Sequence, residues 1–409
     1  MEEHGNPIQG APMRARIAQN SPNHKNGNLV KNHLLQPHLD NQRKLRILSQ
    51  NRLIEIFIKM NVKNNFMKAV IKAEPKAGLE FRDVQEPKIT SSSQVLIEVR
   101  ATAICGSDVH ILEWHSGYEF MPLPIIIGHE FSGEIVDLGL NVKGLKKGDR
   151  VVCNPIVYCG GCSYCKAGKT NLCQQFKLVG LDYNGSFAKY VLIPQNVDLY
   201  KLPDTVSYEH AAIFEPFSVA FHAIEESRIQ PGDLAAVLGA GPIALMLTQL
   251  LKLNGVSVVV TGLSIDEERL KVAKDLGADF TINVEEKNPI EKVRDITGDQ
   301  GVDVIFEASG DSNCFSQALK MIKRGGEIIG IGIYPSPSPI NFTDVVRREI
   351  KIKGVRTYLD SSWRHVITMA TRKMLNIDAL ITHKFPLNEF LKGFELLKQR
   401  KAIKVLLTP

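Results

Sequence analysis

The segment Leu234-Ala235-Ala236-Val237-Leu238-Gly239-Ala240-Gly241-Pro242-Ile243-Ala244 joins an apolar run to an apolar helical pattern through one glycine-rich turn. Five consecutive apolar residues read as a strand buried on both faces, and residues 242–254 read as a helix with proline in its first turn. In the intervening G-x-G-x-x-A pattern, Gly239 permits the tight bend and Gly241 lets backbone approach a pyrophosphate. Ala244 lets helix and strand pack closely. The helix start offers unpaired N–H groups and a partial positive charge to phosphate. Gly239, Gly241, Pro242 and Ile243 are therefore assigned to a dinucleotide rather than to a merely structural turn.

The next strand, residues 256–261, ends at Gly262, where a carboxylate ordinarily hydrogen-bonds the ribose hydroxyls of NAD. Without that charge the site does not repel a 2′-phosphate, which Ser264 and Arg269 stand near enough to contact. Asp266 lies on a loop long enough to swing inward and serve NAD instead, so both nucleotides stay open. Further on, helical patterns near 267–276 and 316–322 alternate with strands at 280–283, 302–307 and 327–331, which predicts a doubly wound parallel sheet.

Upstream the texture differs. From Met67 to about Leu202, short β-branched runs such as 68–71 and 95–99 are separated by turns rich in Gly, Pro, Asp and Lys, the pattern of a largely antiparallel β domain. Residues 1–66 hold eleven Asn and little periodic apolar patterning, so they are expected to be a disordered extension or a segment outside the working protein, with Met67 opening the functional chain. The length of 409 residues fits two domains at roughly 150 residues each.

Charge and hydropathy exclude two function classes. The formal charge of +6 resides in residues 1–66, which carry ten Lys/Arg against four Asp/Glu; the remainder balances 40 against 40. A neutral body argues against nucleic acid as a partner. No stretch approaches the ~20 apolar residues of a membrane span, and the first residues lack the pattern of a secretory signal. A cytoplasmic protein is expected.

Four of the seven cysteines, Cys159, Cys162, Cys165 and Cys173, fall as C-x2-C-x2-C-x7-C among glycines. One short loop with that spacing can fold four thiolates around a tetrahedral ion, and zinc fits because it favours sulfur. A site closed by four thiolates has no open position, so it stabilises and does not catalyse. A second set is dispersed: Cys105 in Cys105-Gly106-Ser107-Asp108-Val109-His110, His129 and Glu130 after Gly128, and Glu215 before Pro216. Spacing alone leaves these as well explained by a packed cysteine and a surface His-Glu pair.

Taken together, the Cys105 turn, Gly128-His129-Glu130, Gly148-Asp149-Arg150-Val151, the four-cysteine lobe, Gly185-Ser186-Phe187-Ala188 and the turn at Gly239 resemble the zinc-dependent medium-chain alcohol dehydrogenase superfamily from Met67 to Pro409. Glu215-Pro216, in place of a cysteine, resembles the branch of sorbitol (polyol), threonine and sugar-alcohol-phosphate dehydrogenases. The resemblance implies a chaperonin-10-like β-rich catalytic domain, residues 67–214 completed by 354–409, around a Rossmann domain at 215–353. It also implies Cys105 and His129 as catalytic zinc ligands, with Glu130 and Glu215 alternating as third ligand or holding a zinc-bound water. Asp108 would orient His129, and Ser107 and then His110 would relay the hydroxyl proton.

The implied chemistry is reversible oxidation of a secondary alcohol by NAD or NADP, with one catalytic and one structural zinc per chain, in a homodimer or homotetramer. Polyol dehydrogenases carry an Arg-Tyr pair after Lys-Gly-Val; here Tyr358 matches, while the arginine is shifted to Arg356 or lost. Trp114 and Tyr118 either line the substrate pocket or belong to the core. Arg347, Arg348, Lys351 and Lys353 form a basic run that either holds a substrate phosphate or faces solvent. A 3-hydroxy amino acid dehydrogenase and a non-catalytic nucleotide-binding homologue are the competing readings.

Overall fold

The computed structural model describes residues 65–334 and 336–409. The expectation for residues 1–66 therefore falls, up to Asn64, outside the described residues.

A six-stranded, all-parallel sheet runs in the order Phe280–Asn283, Ser257–Gly262, Leu234–Leu238, Val302–Glu307, Ile322–Gly330, Lys351–Gly354. Numbered along the chain this is 3-2-1-4-5-6, the Rossmann arrangement, and the order reverses at the strand Leu234–Leu238. Strands on either side of a reversal leave a crevice at their carboxyl ends, where the glycine turn sits. The helix Pro242–Leu253 behind that turn is buried from Ala244 through Leu251, because the sheet covers one side and the helix Phe214–Glu225 packs on the other. Each fully buried Leu or Met there contributes about 1.5–3 kcal/mol, so this helix anchors the nucleotide turn.

The β-rich part contains a seven-stranded sheet. Its main path is Leu199–Lys201, Arg150–Cys153, Glu130–Leu138, Val95–Ala103, Lys404–Thr408 and Ile381–Pro386, with Tyr190–Ile193 also on Val95–Ala103. A three-stranded sheet of Glu80–Gln85, Phe66–Lys72 and Ile125–Ile126 lies beside it in sequence. The last strand thus closes a sheet begun some three hundred residues earlier, with Leu406 opposite Ala103 and Leu407 opposite Thr102. That register carries Lys404 to the end of the strand preceding Cys105.

Three details differ from the sequence expectation. The helix at Ser312–Met321 and the strand Ile322–Gly330 both begin earlier than the apolar periodicity suggested, since Lys323, Arg324 and Gly325 continue the strand despite their polarity. A helix at Pro289–Thr297, opened by the Asn288 cap, was not anticipated. The basic run ends a helix at Arg348 and continues into the sixth strand at Lys351, and two of its cations serve the fold. Arg348 donates to the carbonyls of Leu319 and Ile322, and the Lys353 ammonium donates to Glu226 O at 3.0 Å. No helix among the described residues is long and apolar enough to cross a membrane.

Candidate active site

Cys105 precedes the helix Gly106–Glu113 and Asp108 lies in its first turn, where Asp108 Oδ2 accepts from the Cys105 N–H at 2.9 Å. His129 follows Gly128, whose φ of +97° and lack of a side chain are both required: a Cβ there would lie 2.2 Å from the Phe187 ring. Glu130 then opens the strand Glu130–Leu138. These elements bring one ligand atom each of Cys105, His129 and Glu130 within 4.8 Å of one another. Asp108 Oδ1 lies 3.8 Å from His129 Nδ1, and neither atom has a hydrogen-bond partner among the described residues.

Glu215, in the first turn of the helix Phe214–Glu225, is buried near this cluster but outside that 4.8 Å set. Burial pushes its carboxyl up to about 7, with His129 pulling the other way and Glu130 adding to the rise. Burial likewise pushes Asp108 up to about 6 against the pull of His129. Burial opposes a charge on His129, yet Cys105 and Asp108 hold it well above its ordinary value. Four groups that ionise as anions, Cys105, Asp108, Glu130 and Glu215, are thus gathered about the His129 ring and the Lys404 ammonium. Buried charge of one sign is costly unless balanced, and a divalent cation among a thiolate, an imidazole and a carboxylate balances it. The donor set fits zinc.

The four-cysteine lobe is assembled as its spacing implied. Cys159, Cys162, Cys165 and Cys173 offer sulfurs within 4.8 Å of one another, and Cys159 Sγ lies 4.0 Å from Cys165 Sγ. A disulfide would need about 2.05 Å, whereas a tetrahedron with ~2.3 Å zinc–sulfur bonds has edges of about 3.8 Å. Backbone N–H groups of Cys159, Cys162 and Gln175 point at these sulfurs at 3.3–3.4 Å. Such bonds, from Cys165 and Gln174, bring the Cys162 thiol down to about 6. Asn171, within the lobe, donates to Arg356 O at 3.0 Å.

At the carboxyl end of the parallel sheet a cleft of about 680 Å3 is lined by Gly239, Gly241, Gly262, Asp266, Arg400 and His110, among others. Gly239 has φ +105°, and a Cβ there would press on the Ser309 backbone at 3.3 Å. Gly241 caps the helix that begins at Pro242 and Ile243. Asp266 has swung inward: it is buried, and its side chain approaches the position a Cβ on Gly262 would occupy to 3.3 Å. Arg269 departs from the sequence expectation. It borders the cleft but is buried, its guanidinium donating to Asp266 Oδ1 at 3.2 Å and to Ala402 O at 2.6 Å. The half-exposed guanidinium at this end of the cleft is Arg400, 2.8 Å from Asp266 Oδ2. Ser264 is held by Asn283, 3.0 Å from its hydroxyl, and by Glu285, which accepts its N–H at 2.7 Å.

The remaining candidates sort by contact. Ser107 is half-buried in the first turn of the helix after Cys105, and His110 sits in that helix's last turn on the cleft. Trp114 belongs to the core side, with the buried Lys72 ammonium 4.9 Å above its ring. Tyr118 faces the cluster: burial raises its hydroxyl's pKa, and Cys105 and Asp108 add to the rise. Tyr358 is fully buried beside Glu215 and meets Trp363 edge-on at 5.6 Å. Arg356 stacks on Phe176 at 3.9 Å, turned toward the cysteine lobe. Sequence reasoning missed Lys404, Arg400 and His115, since nothing local marks them.

Two family models match the chain: an alcohol dehydrogenase GroES-like domain over residues 91–204 and a zinc-binding dehydrogenase over residues 242–372. A sorbitol dehydrogenase of Halalkalibacterium halodurans is 38% identical over 84% of this chain and 99% of its own length. An L-threonine 3-dehydrogenase of Bacillus subtilis is 36% identical over 84% and 99%. The crystal structure of 2R,3R-butanediol dehydrogenase from Bacillus subtilis superposes with a TM-score of 0.76 at 33% identity, again over 84% and 99%. With its GroES-like β domain, Rossmann sheet and zinc-type donor sets, the chain belongs to the zinc-dependent, NAD(P)-linked medium-chain alcohol dehydrogenases, in their polyol and threonine dehydrogenase branch.

Proposed function

We propose that the protein oxidises a secondary alcohol of a polyol, sugar acid or sugar-alcohol phosphate to the ketone, reversibly, with hydride passing to NAD(P). One observation carries the reading: the single helix Gly106–Glu113 follows Cys105 of the buried anionic cluster and carries His110 of its last turn onto the cleft. An alcohol held at the cluster is thereby within one short helix of the nicotinamide's cleft.

Cys105, His129 and one of the carboxylates Glu130 and Glu215 hold the catalytic zinc, which when bound makes an alcohol hydroxyl far more acidic, while the nicotinamide accepts hydride. Asp108, 3.8 Å from His129 Nδ1, keeps that ring's other nitrogen turned to the cluster. Lys404 neutralises Glu130 and so moderates its hold on a cation. Ser107 takes the hydroxyl proton and His110 receives it. Oxygen donors in place of a second thiolate suit a hydroxyl-rich substrate. Gly239, Gly241, Pro242 and Ile243 bind the pyrophosphate, and Gly262, Ser264 and Asp266 border the adenosine ribose. Arg269 acts there through Asp266. Cys159, Cys162, Cys165 and Cys173 hold the structural zinc.

The assembly is proposed to be a homodimer or homotetramer. The sixth strand Lys351–Gly354 leaves a sheet edge open, and Ile333, Phe342, Val346 and Ile352 in the neighbouring sequence are exposed apolar residues. The cytoplasm is proposed as the compartment, since four thiols grouped at metal-ligand spacing fit a reducing environment. The test is near-ultraviolet absorbance of reduced nicotinamide with NAD or NADP against polyols, sugar acids, their phosphates, threonine and simple secondary alcohols. A chelator-sensitive signal from a hydroxyl-rich compound is expected; a signal from threonine alone would move the protein to the amino acid branch.

A further inference from the structure

His110 is not the end of a chain of ring nitrogens. Its Nδ1 lies 2.8 Å from Nδ1 of His115, one donating and the other accepting, with ring centroids 5.0 Å apart. The approach is produced by the backbone: Trp114 adopts the left-handed conformation at φ +57°, ending the helix, and the His115 N–H turns back to bond His110 O at 3.0 Å. His115 is half exposed, and its Nε2 lies 3.2 Å from Glu113 Oε2. Glu113 is in turn held by the Lys398 ammonium at 2.8 Å. Asp266, Arg269, Asp311 and Arg400 line the same cleft as His110.

We infer that His115 is the outlet of the proton path, receiving from His110 across the Nδ1–Nδ1 contact and releasing to solvent from Nε2 beside Glu113. The inference rests on the reading of Ser107 and His110 as the relay. In the step, His110 takes a proton on Nε2 from the cleft and gives up the one on Nδ1. His115 gains that proton on Nδ1 and loses one from Nε2 to water. Only N–H bonds form and break, and each imidazole returns to neutrality in its other tautomer, which proton exchange with water at the two exposed rings resets before the next turnover. Glu113 stabilises the transient positive charge on His115, and the Lys398 contact keeps that carboxylate in place. Burial and the neighbouring His115 both lower His110's affinity for a proton, with Glu113 opposing, which favours onward transfer.

His115 is a positioning and outlet residue acting through His110, so its test needs readouts that a structural role would leave unmoved. In the full-length protein, nuclear magnetic resonance titration of the histidine Cε1–H signals should show His110 binding its proton less readily than an ordinary histidine, its titration coupled to that of a neighbouring group. In His115→Gln, His110 should titrate singly and at higher pH. With the most active alcohol of the panel, in dilute buffer without imidazole, His115→Ala should lower kcat about tenfold and leave the nucleotide KM unchanged. That is less than the 10²-fold or more expected of His110→Ala, because water partly replaces an exposed group. Added imidazole should restore His115→Ala.

An His110 titration identical in the wild type and His115→Gln would overturn the inference, as would a His115→Ala enzyme at full kcat or one that imidazole does not restore. If His110→Ala is impaired while His115→Ala is not, only the outlet fails. If neither is impaired, the relay reading fails with it.

Discussion

Lys404 and Glu130 are 274 residues apart in sequence, yet the Lys404 ammonium lies 2.7 Å from Glu130 Oε1 with both side chains almost wholly enclosed. The same ammonium donates to Ile104 O at 3.0 Å, immediately before Cys105. The closing strand of the β domain therefore sets both the backbone at one proposed zinc ligand and the charge on another.

Lys404→Met should be severely destabilising, because removing one partner strands a buried carboxylate at a cost of about 3–5 kcal/mol. The double variant Lys404→Met/Glu130→Gln should regain much of that loss. Urea denaturation of the four proteins in a double-mutant cycle measures it; additive losses would show the pair is uncoupled.

Glu215 gives a pH dependence whose sign follows from its shift. Its folded-state value of about 7 lies above its ordinary 4.5, so the folded protein holds the proton more tightly than the unfolded chain. The stability this contributes is complete below about pH 4.5 and is lost as pH rises through about 7. In protein stripped of metal, the loss attributable to Glu215 should be on the order of 3 kcal/mol between these limits. Glu215→Gln should flatten that part of the curve of unfolding free energy against pH.

Gly239→Ala should weaken nucleotide binding at least tenfold, about 1.4 kcal/mol, in a titration of reduced-nicotinamide fluorescence. The left-handed backbone and the Ser309 contact at 3.3 Å leave no room for a methyl group without moving the turn. The unfolding cost of the positive φ should be about 1–2 kcal/mol. Unchanged affinity would remove Gly239 from the binding turn.

Arg400 reaches the end of the cleft beside Asp266 from beyond the Rossmann sheet, and among the described residues one of its nitrogens is engaged by Asp266. Arg400→Gln should therefore lower affinity for NADP several-fold more than affinity for NAD, since a 2′-phosphate gains most from a free guanidinium. Equal losses for both nucleotides would assign Arg400 to holding Asp266 alone.

How much of this was legible in the chain follows the range of each signal. The glycine turn and the cysteine lobe are written within short segments, and the structure assembles both from neighbours in sequence. Cys105, His129 and Glu130 were identifiable through the resemblance but not from spacing, because a sheet register and the Gly128–Phe187 contact bring them together. Lys404 and Arg400 carry no local mark at all: one is an ordinary strand lysine and the other an ordinary turn arginine until the chain closes. The sixth strand was hidden because a sheet edge tolerates the alternating Lys351 and Lys353 that a central strand would not. Asp266 was legible as an alternative to an open Gly262, but its ion pairs with Arg269 and Arg400 were not, because Arg400 lies 134 residues away.

The central claim is that Cys105 and His129 hold a zinc that carries the oxidation while the cysteine lobe holds one that does not. Zinc content per chain, measured by atomic emission on the wild type and Cys105→Ala alongside alcohol oxidation, tests it most directly. About two zinc ions are expected in the wild type and about one in the variant, with oxidation lost and the unfolding midpoint nearly unchanged. One zinc in an active wild type, or a Cys105→Ala enzyme that keeps full activity, would contradict it.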